Sequence, residues 1–158
     1  MSLENVQNWF ASHASDVQII IASQSTATVQ EAAAALGVEP ARIAKTLAIR
    51  VKDEVFLLVT RGDARLDNAR TKAAFGGRPR MLDPEETLRL TGHAVGGVCP
   101  FGLVHDLPIY CDRSLQAFET VFPAAGSLNS AVELTPARLA ELTNAQWVDC
   151  ARLPEEML

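Results

Sequence analysis

Lys45 stands inside an apolar alternation, Ile43-Ala44-Lys45-Thr46-Leu47-Ala48-Ile49-Arg50-Val51. Period two predicts a strand, and successive strand side chains point to opposite faces. Lys45 then shares a face with Ile43, Leu47, Ile49 and Val51, while Ala44, Thr46, Ala48 and Arg50 take the other, more polar face. Burial penalises an ammonium and lowers its pKa unless a partner compensates. Two readings follow. Lys45 is a cation held in a pocket, or it is a strand-end lysine whose head reaches water past its stem.

The second chemical element is a loop with four glycines in eleven residues, running from Gly92 through Gly96, Gly97, Val98, Cys99, Pro100 and Phe101 to Gly102. Glycine admits positive φ and lets backbone approach a ligand closely. Pro100 fixes one φ and pushes Cys99 toward an extended conformation. Successive N–H groups in such a loop can form an anion or oxyanion nest. No Gly-Lys-Ser/Thr follows, so it is not a P-loop, and the glycine spacing is not that of a dinucleotide site. The alternative is an ordinary tight loop; the glycine content with an internal proline favours function. A third element, Gly126-Ser127-Leu128-Asn129-Ser130, offers hydroxyl and amide groups suited to a small polar ligand, although any turn uses the same residues.

Other candidates are weaker. Cys99 as a nucleophile with His93 or His105 as base lacks a recognisable thiol-enzyme signature, and a small buried cysteine is the commoner case. His93, Cys99, His105 and Cys111 match no standard zinc spacing, so no metal is expected. Asp63, Asp67 and Asp106 are scattered and suit surface or capping roles.

Positioning these residues requires a mixture of short elements. The pattern predicts a helix over 1–14 with Leu3, Val6, Trp9 and Phe10 on one stripe, and a strand over 17–21. Thr28 and Glu31 have capping-box form ahead of a helix that stops at Gly37. The Lys45 strand turns at Asp53-Glu54 into an apolar run over 55–60 that suits a central strand. Asp67 can cap a helix ending near Gly76, and Asp83-Pro84 opens another that ends at Gly92. Strands are expected over 107–111, 119–122, 131–134 and 146–148, with a last helix from Thr135-Pro136 through Leu142. The expectation is one mixed α/β domain over 1–158, with a partly antiparallel or barrel-like sheet flanked by helices rather than regular βαβ units.

Composition bounds the function. The chain has 158 residues, 48% of them apolar and 21% charged, ordinary for a globular domain. No apolar run approaches a membrane span, and the N-terminus has no signal-peptide pattern. Three cysteines without a Cys-x-x-Cys fit a reducing cytoplasm, the expected location. The net charge of −5 argues against a general nucleic-acid binder. Residues 42–80, however, hold ten of the 14 Lys and Arg and four of the 19 Asp and Glu. Such a sector can hold a polyanion locally, unless ion pairs consume it.

Four stretches occur in order: Thr28-Val-x-Glu31-Ala-Ala through Leu36-Gly37-Val38; Arg42-Ile-Ala-Lys45-Thr-Leu47; Gly92-His-x-Val95-Gly96-Gly97-Val-x-Pro100-Phe-Gly102; and Ala124-Ala-Gly126-Ser-x-Asn129-Ser130 with Glu133-Leu134. Together they resemble the YbaK/prolyl-tRNA-editing-domain family of freestanding aminoacyl-tRNA deacylases, across roughly residues 20–150. The resemblance implies a barrel-like mixed sheet with flanking helices and hydrolysis of the ester between a wrong amino acid and tRNA, without a cofactor. It puts Lys45 in the pocket with the backbone of Gly96, Gly97, Val98 and Cys99 at the reacting carbonyl. Thr46, Pro100, Phe101, Gly102, Ser127, Asn129 and Ser130 surround the substrate. Some family members carry a histidine in the 126–130 turn; this chain has none there. Water is the expected attacking group, and small acyl groups (Ala, Ser, Thr or Cys) on tRNA-Pro are the expected substrates, with prolyl-tRNA synthetase a candidate partner. The alternative is a non-catalytic module that binds aminoacyl-tRNA or regulates a synthetase. A thiol or small-ester hydrolase using Cys99 is a third option.

Overall fold

Helix ends in this chain are set by short-range chemistry. Side-chain oxygens of Thr28, Asp67, Asp83 and Thr135 accept from the N–H groups of Glu31, Arg70, Glu86 and Arg138, satisfying donors at each first turn. Gly37, Gly76, Gly92 and Asn144 close the same helices in the left-handed conformation. The computed structural model describes residues 2–157. In chain order the elements are α1 (Ser2–His13), β1 (Ile20–Ile21), α2 (Val29–Leu36), β2 (Ile43–Val51), β3 (Glu54–Arg61), β4 (Arg65–Leu66), α3 (Asn68–Phe75), β5 (Arg80–Met81), α4 (Pro84–Thr91), β6 (Ile109–Asp112), β7 (Phe122–Pro123), β8 (Ser130–Ala131), α5 (Pro136–Thr143), β9 (Gln146–Val148) and β10 (Ala151–Arg152). Short 3-10 turns lie at Pro40–Arg42, Arg113–Ala117 and Pro154–Met157. The expected helix start at residue 1 lies outside the described residues.

The sheet is organised by the β2–β3 hairpin, paired antiparallel from Ala44↔Arg61 to Val51↔Glu54. Its turn is Lys52-Asp53, one residue earlier than expected, with Lys52 at φ 55°. β6 runs parallel to β3, and β9 parallel to β6. On the far edge of β2, β7 pairs parallel at its start and β5 antiparallel near its end. The result is a mixed α/β architecture, as expected, but an open sheet in the order β5-β2-β3-β6-β9. The barrel-like closure does not occur. Closure needs strands in continuous stagger, and the terminal strands span only two and three residues.

β3 is buried on both sides, as its apolar run predicted. Phe56 and Leu58 pack with Ile49, Val51 and Cys150. Leu57 packs with Ala48 and Leu82, and Val59 joins the main core of Val6, Phe10, Phe101, Leu115, Val132 and Leu139. The Ala44-Thr46-Ala48-Arg50 face of β2 is therefore not a solvated face. Ala44 and Ala48 are buried in these two clusters, and Arg50 reaches Glu86 on α4 at 2.8 Å. Small side chains there let helices and loops approach the strand closely.

Asp112, at the end of β6, is 1% exposed. Its carboxylate accepts from the N–H groups of Cys150 (2.6 Å), Ala151 (3.1 Å) and Ser114 (2.9 Å). It fastens β10, and through it β4, to the main sheet. An Asp112→Ala variant leaves three donors without partners, two of them buried, and should lose about 3 kcal/mol in urea denaturation. Asp112→Asn keeps one acceptor oxygen and should lose less.

Candidate active site

β2 has β3 along the whole of one edge, but its other edge is interrupted. β7 covers Ile43 and Ala44, and β5 covers Ile49 and Arg50, with Leu82 donating to the Ala48 carbonyl at 3.0 Å. Main-chain groups of a strand alternate between its two edges. The Ala48 bond fixes the parity, so Ala44, Thr46, Ala48 and Arg50 direct their N–H and C=O to this edge. Thr46 falls in the gap between the two short strands. A cavity of about 390 Å³ opens at this gap. Its walls are α2 (Val29, Ala32, Leu36), the β5–α4 corner (Met81, Leu82, Pro84, Thr87), the glycine loop (Val95, Gly96, Val98) and the β7–β8 region (Phe122, Ala124, Ser130, Ala131).

Lys45 and Thr46 both line the cavity, from opposite faces of β2. Lys45 is half-buried, and its ammonium donates to the Ala64 carbonyl in the β3–β4 connection. Burial pushes its pKa below the ordinary lysine value, against an opposing pull from Asp63 and with a smaller push in the same direction from Arg65. One of its three donors is thus occupied and two remain. Thr46 Oγ1 is buried and is the one buried side-chain oxygen or nitrogen without a hydrogen-bond partner among the described residues. A buried hydroxyl normally has a partner.

The glycine loop is a close-packed turn rather than an open nest. Gly97 donates to the Ala94 carbonyl at 2.9 Å, with Gly96 at φ 99° between them. A Cβ on Gly97 would lie 3.0 Å from the Gly126 carbonyl carbon and 3.1 Å from the Ser127 nitrogen, so the loop rests directly on the 126–130 turn. Beyond Val98 the chain dives into the core. Cys99 and Phe101 are fully buried, and Phe101 meets Phe10 at 4.7 Å between ring centroids. Pro100 is buried too, and Gly102 abuts the α1 backbone at Asn5. The Cys99 thiol approaches His93 Nε2 and the Phe101 carbonyl at 3.6 Å each, and burial pushes it up to about 12. It is a protonated core thiol, not a nucleophile facing the cavity. His93 is fully buried, held by Ser2 and by the Phe101 carbonyl at 2.7 Å.

The 126–130 turn is largely self-satisfied. Ser127 Oγ meets Ser130 Oγ at 2.6 Å and donates to Asn129 Oδ1 at 3.0 Å, while Asn129 exchanges bonds with Ala22 main-chain atoms. Ser130 lines the cavity; Ser127 and Asn129 brace it from behind. Of the residues singled out in sequence, the structure therefore brings Lys45, Thr46, Gly96, Val98 and Ser130 to one cavity. Gly97, Cys99, Pro100, Phe101, Gly102, Ser127 and Asn129 support it from further back. Sequence reasoning missed the walls from α2, the β5–α4 corner and β7. Their small apolar residues carry no chemical signature, and the alanine run of α2 looks like any amphipathic helix.

Ion pairing divides the basic sector. Arg42 meets Glu133 (3.5 Å), Arg50 Glu86 (2.8 Å), Arg61 Asp63 (2.7 Å) and Arg70 Glu156 (2.7 Å). Lys52, Arg65, Lys72, Arg78 and Arg80 are exposed and form no ion pair among the described residues. Arg80 adjoins Met81 at the cavity wall, and Lys52 lies beside Gly77. No helix among the described residues is long and apolar enough to cross a membrane.

A concave, mostly apolar pocket with one half-buried cation at a broken sheet edge defines a small-ligand site. The chain belongs to the aminoacyl-tRNA editing domain family, whose model matches residues 23–142. It is 47% identical over 154 residues to "Uncharacterized protein YwhH" of Bacillus subtilis (strain 168), covering 96% of this chain and 98% of that one. It is 29% identical over 129 residues to the Enterococcus faecalis protein named "Putative Cys-tRNA(Pro)/Cys-tRNA(Cys) deacylase EbsC", covering 80% and 79%. A crystal structure described as "a putative trans-editing enzyme for prolyl tRNA synthetase" matches with a TM-score of 0.88 and 34% identity, over 96% of this chain and 97% of that one.

The lowered Lys45 pKa has a stability consequence. Between its folded value and the ordinary value of 10.5, the unfolded chain holds the proton and the folded chain does not. Stability contributed by this residue therefore rises with pH through that window. Thermal melts of wild type and Lys45→Met should converge or cross in favour of wild type as pH climbs toward 10.5.

Proposed function

We propose that the chain is a trans-editing hydrolase that deacylates tRNA carrying a small, wrong amino acid, tRNA-Pro being the favoured carrier. The observation that carries this reading is Lys45, a half-buried lysine lining a cavity that no acidic side chain lines. A cation in such a site can stabilise negative charge developing on an ester carbonyl far better than it could in water. Family membership and the editing relatives support the same reading.

In the proposed reaction the acyl group enters the cavity with its ester near Lys45. Water attacks the carbonyl carbon, a C–O bond to water forms, and the bond to the ribose oxygen breaks. The ribose oxygen leaves with a proton supplied through the neighbouring hydroxyl or the substrate's own side chain. Lys45 stabilises the oxyanion, with Gly96 and Val98 of the glycine loop as the adjoining wall; the Gly97 N–H already serves the turn. The alanines at 27, 32, 44, 48, 124 and 131 keep the walls close. Selection by one methylene is worth only about 1–3 kcal/mol, so several small acyl groups should react. Exposed Lys52, Arg78 and Arg80 are suited to acceptor-stem phosphates beside the cavity.

The test is deacylation of alanyl-, seryl-, threonyl-, cysteinyl- and prolyl-tRNA-Pro. Wild type should clear one or more mischarged species and spare the prolyl one. Lys45→Ala should lose about 100-fold or more, while Cys99→Ala should stay within about twofold because its thiol is buried and protonated. Binding of tRNA-Pro without hydrolysis by wild type would favour the non-catalytic module instead.

The phosphate assignment has its own measurement. Neutralising Lys52, Arg78 and Arg80 together should weaken tRNA binding and flatten the slope of log K against log salt by about 0.7–0.9 for each phosphate the variant no longer neutralises. An unchanged slope would move the tRNA to another face.

A further inference from the structure

We infer that the break in the β2 edge is itself the recognition element, and that the aminoacyl group binds there as a one-residue strand on Thr46. This rests on the aminoacyl-ester reading of the cavity and goes further by naming the part of the ligand that is read and the atoms that read it.

Three observations converge on Thr46. Its main-chain N–H and C=O face the interval between β7, which ends its pairing at Ala44, and the Leu82-to-Ala48 bond beside β5. The interval is one residue pair wide. It opens on the cavity, which Thr46 lines. The Thr46 hydroxyl is also buried without a partner. A main-chain donor and acceptor left unpaired at a single rung constitute a template for one extended residue. In a hydrogen-bonded antiparallel pair, two facing residues exchange both N–H···O=C bonds. An aminoacyl group has the two complementary atoms at the right separation. Its α-amino group donates to the Thr46 carbonyl, and its ester carbonyl accepts from the Thr46 N–H.

The cavity chemistry favours this ligand over others. No Asp or Glu lines the cavity, so an α-amino group must be met by neutral acceptors. The Thr46 carbonyl is one, and it lies on the strand edge rather than on the face that carries the Lys45 side chain. The same pairing brings the ester carbonyl to a fixed backbone donor, where an oxyanion would need it. Facing residues of such a pair carry their side chains on the same face of the sheet. The acyl side chain then projects on the Thr46 side, opposite to Lys45, toward the orphan hydroxyl. Cross-strand pairs of threonine with serine or threonine are stabilised by side-chain hydrogen bonds. Seryl and threonyl groups should therefore bind better than alanyl, because they complete the Thr46 hydroxyl as well as the rung.

The test uses non-hydrolysable amide analogues in which 3′-amino-3′-deoxyadenosine carries an alanyl, seryl or propionyl group, the last lacking the α-amino group. Amide proton and nitrogen shifts of the labelled protein are followed during titration. The Thr46 amide proton should move downfield with the alanyl and seryl compounds. The propionyl compound should bind at least about tenfold more weakly, the loss expected for a hydrogen bond to a charged group. Thr46→Val, which keeps the shape, should abolish the advantage of seryl over alanyl and retain the shift at residue 46. Thr46→Ser should keep that advantage, which separates loss of the hydroxyl from loss of packing. If cavity residues shift but the residue 46 amide does not, and propionyl binds as well as alanyl, the rung is wrong while the cavity remains an aminoacyl site. If no analogue shifts any cavity residue, the aminoacyl reading of the cavity fails and takes the rung with it.

Discussion

A strand bonded along one edge and interrupted along the other is the constraint from which the site follows. The long β2–β3 register fixes β2 as a rigid bar. Two short strands then claim the ends of its free edge, and neither can reach the middle. Main-chain groups left in that middle cannot be satisfied by the sheet, and burial forbids leaving them open at no cost. Neighbouring segments therefore enclose a cavity there instead of packing onto the strand. Rigidity and the open rung come from the same arrangement. A binding site on a strand bonded along the whole of its other edge is held within narrower limits than one on a loop.

Holding the surrounding loops is a matter of backbone-to-backbone contact. Gly97 lies on the Gly126–Ser127 peptide, Gly126 on the first turn of α1, and Gly102 on Asn5 of the same helix. Each contact is too close for a Cβ, so the two loops and α1 form one braced unit. The buried His93, bonded to Ser2 and to Phe101, ties the glycine loop to α1 from inside. Cys99 belongs to this bracing. Its sulfur fills the space between His93 and the Phe101 carbonyl, and the environment that raises its pKa also removes it from solution chemistry. A glycine-rich loop next to a cavity thus contributes only its Val95–Val98 portion to the wall and spends the rest on support.

Much of this was legible in the sequence where local rules dominate. The caps at Thr28, Asp67, Asp83 and Thr135 define their helices by side-chain geometry alone. The alternation through Lys45 gives the bounds of β2, and the continuous apolar run gives β3. The failures share a cause. β4, β5 and β10 are two-residue strands that exist only because a distant partner is present, as Arg65–Leu66 pairs with Ala151–Arg152. The Ala44-Thr46-Ala48-Arg50 face looked polar because alanine and threonine are ambiguous, and only tertiary packing makes it interior, with Ala44 in the main core, Ala48 beside Leu82 and Arg50 paired with Glu86 of α4. Asp112 gave no signal because a carboxylate that accepts three backbone N–H groups is indistinguishable in sequence from one on the surface. The cavity walls escaped notice for the opposite reason, being made of alanine and other side chains that ordinarily fill cores.

Lys45 and Thr46 were both visible in sequence, yet what separates them is a property of strands rather than of either residue. Adjacent positions put one side chain above the sheet and the next below it, while the backbone between them faces sideways. A cation, an open peptide rung and an orphan hydroxyl can then approach a single small group from three directions without touching one another. On the proposed reading this keeps the ammonium of Lys45 away from the α-amino group of the ligand, where like charges would repel, and leaves it free to act on the ester. The spacing of one residue is what allows a single strand to supply charge, alignment and selectivity together.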